Sequence, residues 1–149
     1  GEGERAVEGG RRVTASGMKL SMMIILGLAG AEGSERHALA TAKAINIIKP
    51  THLSALCLML YRGSELLDQY EAGKFNPLSP AGLMRELKLI IENIDLPADR
   101  HCLFRSNHVS NYVQLAATLP HDKQRLLRDI DYSIAQLSKL KSWDVYNYN

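Results

Sequence analysis

Cysteine is scarce in this chain of 149 residues: Cys57 and Cys102 are the only two, and neither belongs to a CxxC or CxxxCxxC cluster. Two isolated thiols cannot build an iron–sulfur or zinc site without ligands from elsewhere, so they supply no metal site of their own. They read as buried, reduced side chains in strands. A disulfide between them stays open, although nothing else in the chain looks secreted. Long apolar runs are also missing. A membrane span needs roughly 18 apolar residues in succession, and the run Met22 to Leu28 is only strand-sized. Charge of one sign is lacking too: the formal net charge of +2 is too small to argue for nucleic acid or an acidic membrane. The chain opens Gly-Glu-Gly-Glu-Arg, with neither an initiator Met nor a signal-peptide pattern. It therefore begins like a cut piece or a tag remnant, and a cytoplasmic protein is the default reading.

What is present is ordinary for a globular protein: 46% hydrophobic and 23% charged residues, in a length that suits one domain with one core. Residues 4–16 form a short helix ending at Gly17. The apolar segment Met18–Leu28, closed by glycines, suits a strand buried on both faces. Gly27 to Gly33 is then a glycine-rich loop. Ser34 is a good N-cap for an amphipathic helix over 34–48, with Ala38, Leu39, Ala42, Ile45 and Ile48 on one stripe. His52–Leu60 is a second apolar strand. Helix, strand, helix, strand within sixty residues argues for parallel strands joined by a right-handed crossover.

Ser64 caps a short helix through Tyr70, and Ser79-Pro80 starts another with the stripe Leu83, Leu87, Ile90, Ile91 and Ile94. His101–Arg105 is a third strand, 106–118 an irregular polar segment, and Pro120 opens a long final helix over 120–141. The expected organisation is a single domain or fragment, with βα units over 1–60, a helical segment over 61–100, and a strand, polar loop and helix over 101–149.

Two segments could carry chemistry. Gly27, Gly30 and Gly33 lie at the carboxyl end of a strand, where open α/β folds bind ligands. The amides of Ser34 to Arg36 would favour a carboxylate or other anion. The spacing fits neither GxGxxG nor GxxxxGK[ST]. A nucleotide site unrelated to any other motif would therefore rest on the loop alone, and a plain turn explains it equally well. The run Arg105 to Tyr112 is dense in hydrogen-bonding groups. Arg105 could bind a carboxylate and His108 could act as acid or base, while Asn107, Ser110 and Asn111 could equally cap turns. His37 reads as solvated and Cys57 as core. No Ser/His/Asp or HExxH pattern appears.

Three stretches carry a resemblance. RAVEGGRRVTASGMKLSMMIILGLAG, ending at Gly30, and its continuation GSERHALATAKAINIIKPTHLSALCL resemble the later part of a radical S-adenosylmethionine (SAM) domain. SNHVSNYVQLAATLPHDKQRLL resembles the RSNHxSNYxxLxGTLPxDK tail of a bacterial subgroup similar to elongator-type and coproporphyrinogen-dehydrogenase-type enzymes. Ala29 stands where the family usually has a second Gly, and Tyr61-Arg62-Gly63-Ser64-Glu65-Leu66 where it reads xPGTPL. Ala117-Thr118-Leu119-Pro120 replaces GTLP.

The resemblance implies the C-terminal portion of a partial (β/α)6 barrel. It also implies a parent enzyme that cleaves SAM reductively at a [4Fe–4S] cluster, on an unknown substrate. The cluster cysteines would lie upstream of this chain, which would be inactive alone and hold neither cofactor completely. Ile25, Gly27, Leu28 and Gly30, with Leu58 and Leu60, would line the adenine side of SAM. Arg105, Asn107, His108 and Asn111 would approach the barrel mouth and the substrate. The alternative is a non-catalytic α/β module that associates with a partner or with itself through an exposed sheet edge. Neither reading involves nucleic acid or a membrane.

Overall fold

The computed structural model describes residues 2–106 and 114–138. The chain folds as α1 (Glu2–Ala15), β1 (Ser21–Leu26), α2 (Gly30–Ile48), β2 (His52–Cys57), α3 (Glu65–Glu71), α4 (Pro80–Glu92), β3 (Cys102–Ser106), β4 (Leu115–Leu119) and α5 (Lys123–Leu137). The strands form one mixed sheet in the order β1-β2-β3-β4. β1 and β2 are parallel, Ile24 opposite Ala55, and β2 and β3 are parallel, Leu53 opposite Phe104. The expected adjacency of the first two strands, with a helix between them, therefore holds. β4 runs antiparallel to β3, Phe104 opposite Ala117.

The segment expected to be irregular thus ends in a strand. Its sequence, Leu-Ala-Ala-Thr-Leu, alternates buried and outward positions with small residues that carry little strand signal. Pro120 follows it through a cis peptide bond, and α5 begins three residues later, at Lys123.

Local chemistry accounts for two of the five helix starts. The Ser64 hydroxyl accepts from Leu67 N–H at the head of α3. The Ser79 hydroxyl accepts from Gly82 N–H at the head of α4, whose first residue is Pro80. α2 and α5 start without such a cap, and α2 departs furthest from expectation. It begins at Gly30, four residues before the expected cap, and Ala29 offers no side-chain cap.

The core lies on one side of the sheet. Leu26, Leu53, Phe104 and Leu119 from the strands meet Ala42 and Ile45 of α2, Leu87, Ile90 and Ile91 of α4, and Leu126 and Ile130 of α5. Phe104 is fully buried at the sheet centre. Truncating it to Ala would cost roughly 3–5 kcal/mol. Lys88 and Asp131 pair at 2.7 Å across α4 and α5. The Lys123 ammonium donates to Ile94 O at 2.8 Å, fixing the start of α5 against the end of α4.

The opposite face of the sheet carries no helix among the described residues. Met23 is 64%, Ile25 38% and Leu103 40% exposed, and Arg105 and Ala116 are exposed beside them. β1 is therefore not buried on both faces, as its continuous apolar run suggests. It alternates, because helices pack on one side only.

Candidate functional site

The turn from β1 into α2 is built by residues distant in sequence. Gly27 and Gly30 both have positive φ, 85° and 70°, which glycine adopts without strain. Gly30 N–H donates to Gly27 O at 3.0 Å, closing the turn. Gly27 N–H donates to the Glu86 carboxylate (Oε2) at 2.8 Å. The Ser34 hydroxyl donates to the other oxygen, Oε1, also at 2.8 Å. Ala31 N–H donates to Asn76 O at 2.8 Å, and the Asn76 amide donates to Glu32 at 3.2 Å. Added at Gly30, a Cβ would lie 3.1 Å from Asn76 O and 3.1 Å from the Phe75 ring.

The glycine turn is consequently packed from behind by α4 and the 75–76 segment. Ser34 is not the helix cap: its hydroxyl serves Glu86. The amides of Ser34 to Arg36 lie inside α2, where a helix satisfies them internally, so they do not form the expected anion site. Glu86 itself is only 2% exposed. A carboxylate so deep costs several kcal/mol unless its oxygens are satisfied, and these two bonds satisfy them. Glu86 lies in the apolar stripe of α4, where periodicity alone marks only Leu83, Leu87 and Ile90, and the sequence carries no signal for its role.

The residues expected at the cofactor site separate into three positions. Ile25 and Leu28 are open to solvent, at 38% and 46%. Gly27 and Gly30 are buried with their backbone against the groups just described. Leu58 and Leu60 belong to the core cluster, beyond the end of β2. Arg105 is exposed on the helix-free face, in one row with Ser54 and Met23 across the paired strands. Asn107, His108 and Asn111 lie outside the described residues.

β1 is the sheet edge, and a groove of about 810 Å³ runs along its free side between α1 and α2. Val7, Met22, Ile25, Ala40, Ala44 and Ile47 give it apolar walls. Strand alternation aims the backbone groups of Met23 and Ile25 at this free side. His37, expected in solvent, sits half-buried with Nε2 3.3 Å from Ile25 O, so it covers one edge carbonyl. α1 is held beside the groove by Gly10, packed on Ile48, and by the Thr14 hydroxyl, which donates to Ile48 O.

Both cysteines are buried on the covered face and free of disulfide. Burial, reinforced by the neighbouring Glu86, pushes the Cys57 thiol up to about 12. Burial alone pushes Cys102 up to about 11. A cluster or zinc ligand binds as the thiolate, the form that burial disfavours at both positions. Among the described residues no group of three or more His, Cys, Asp and Glu converges as a metal site, and no helix is long and apolar enough to cross a membrane. No family model, no curated protein and no solved structure matches the chain.

Proposed function

We propose that the chain is the C-terminal portion of a partial barrel of the radical SAM type, whose helix-free sheet face forms part of the barrel interior. One observation carries the reading: the parallel strands β1, β2 and β3 have their helices on one face only, leaving Met23, Ile25 and Leu103 bare on the other. Curved parallel sheets place helices outside and ligand-facing side chains inside, with sites at the carboxyl ends of the strands. Ile25 and Leu28, at the carboxyl end of β1, fit the flat adenine side of SAM as an apolar platform. Arg105 fits a carboxylate reaching across the same face.

When bound, SAM and a reduced cluster would supply the radical chemistry for hydrogen abstraction from the substrate. This chain's residues bind and orient, and the cluster thiolates come from outside it. The test is to express the full reading frame and measure binding of S-adenosylhomocysteine and, with dithionite as the electron donor, anaerobic release of 5′-deoxyadenosine from SAM. Absence of both in a folded protein with reconstituted iron and sulfide overturns the proposal.

A second reading is favoured by the groove along β1. A sheet edge beside an apolar wall suits a strand added by a partner or a second copy, without catalysis. A dimer in light scattering that Met23→Lys dissociates, with no SAM-dependent activity from the full reading frame, would select it.

A further inference from the structure

Among the described residues Glu86 is the only buried carboxylate. It sits on α4 between Leu83, Leu87 and Ile90, where an apolar side chain would pack at lower cost. Its two oxygens instead reach both ends of the β1–α2 turn: Gly27 N–H at the exit of the strand and the Ser34 hydroxyl in the early part of the helix. The Asn76 carbonyl holds Ala31 N–H from a third direction. With its amide aimed at the core, the Gly27 peptide cannot rotate, and Leu28 and Ala29 are left facing outward.

We propose that Glu86 is a positioning residue for this turn. Its carboxylate fixes the outward surface of Ile25 to Ala29 before any ligand arrives, so that an adenine ring meets a preformed platform. The inference rests on the SAM reading given above. Without the carboxylate, a glycine with positive φ regains other conformations, and binding must then re-order the turn at a cost in affinity.

The experiment uses the protein of the full reading frame, with S-adenosylhomocysteine as the probe, calorimetry for affinity and thermal melting for fold. Glu86→Gln keeps an acceptor for Gly27 and lets the amide donate to the Ser34 oxygen, so its affinity should match that of the unaltered protein within measurement error. Glu86→Met matches the shape and removes both bonds. A loss of about tenfold or more is expected, the scale of one charge-assisted bond. A purely structural role lowers the melting temperature of Glu86→Met and leaves its affinity intact, and that result overturns the inference. Should Glu86→Met fail to fold, Ser34→Ala cuts one bond alone: a loss of about threefold supports positioning, and unchanged affinity overturns it. An unaltered protein that binds no probe overturns the SAM reading itself, an outcome distinct from equal binding by the variants.

Discussion

Replacing Ser34 by Ala removes a hydroxyl whose hydrogen bond ends 2.8 Å away on the buried Glu86 carboxylate. Hydrogen bonds to charged groups contribute about 1.5–3 kcal/mol. Ser34 is half-buried, so water partly replaces the lost donor, and about 2 kcal/mol is expected. For a domain of this size, that is a fall of about 4–8 °C in melting temperature. An ordinary helix cap would lose about 1 kcal/mol on the same change, whatever residue stood at 86. The two explanations part in a double-mutant cycle with Glu86→Met. Once the carboxylate is gone the hydroxyl has no charged partner, and Ser34→Ala should then cost close to nothing. The coupling between the two sites should be about 2 kcal/mol, read from urea unfolding followed by circular dichroism. Single changes that simply add, to within about 0.5 kcal/mol, would refute the anchoring of the turn by Glu86.

Gly30→Ala should destabilise by about 2 kcal/mol, because a positive φ and a contact at 3.1 Å with Asn76 O act together. Gly73→Ala, with positive φ but open space, should lose about 1 kcal/mol, and equal losses would contradict the packing of the turn. Cys57 and Cys102, raised to about 12 and about 11 by burial, should resist a thiol reagent at pH 8 until the protein unfolds. The folded state keeps these thiols protonated where the unfolded chain ionises. Their contribution is complete below the reference value of 9.0 and is lost as pH rises through the folded values, so stability should fall in that range. Rapid native labelling would contradict this. The carboxyl of Asp122 is held below its usual range, first by the hydrogen bond from Thr118 N–H and then by Arg125 and His121. A lowered folded value stabilises above the unfolded one and is lost as pH falls, so Asp122→Ala should lower the melting temperature at pH 7 and have little effect at pH 2. The reverse pattern would show the turn bond to be unimportant.

Local pattern was enough for the elements that local physics decides. The apolar run Met22–Leu26 is a strand, and Ser64, Ser79 and Pro80 start their helices where capping chemistry puts them. It failed where a distant residue completes the structure. A glycine-rich stretch without a cap reads as loop, yet α2 begins at Gly30 because Asn76 O and Gly27 O take its first amides. The continuous apolar run of β1 suggests two covered faces, and the bare face depends on where α2, α4 and α5 all pack. β4 escaped notice because alanines carry neither strand propensity nor bulk. Glu86 was invisible for a stronger reason. A charged residue on an amphipathic helix is expected in solvent, and only the fold brings Gly27 and Ser34 to it.

The most direct measurement is a hydrogen-exchange footprint of S-adenosylhomocysteine on the protein of the full reading frame. Protection is expected over residues 23–31 and at the end of β2 near Leu56, where the bare face and the clamped turn meet. The covered helix α5 should exchange at an unchanged rate. Binding that leaves residues 23–31 unprotected, or no binding by the folded protein, would contradict a SAM site at the carboxyl end of β1.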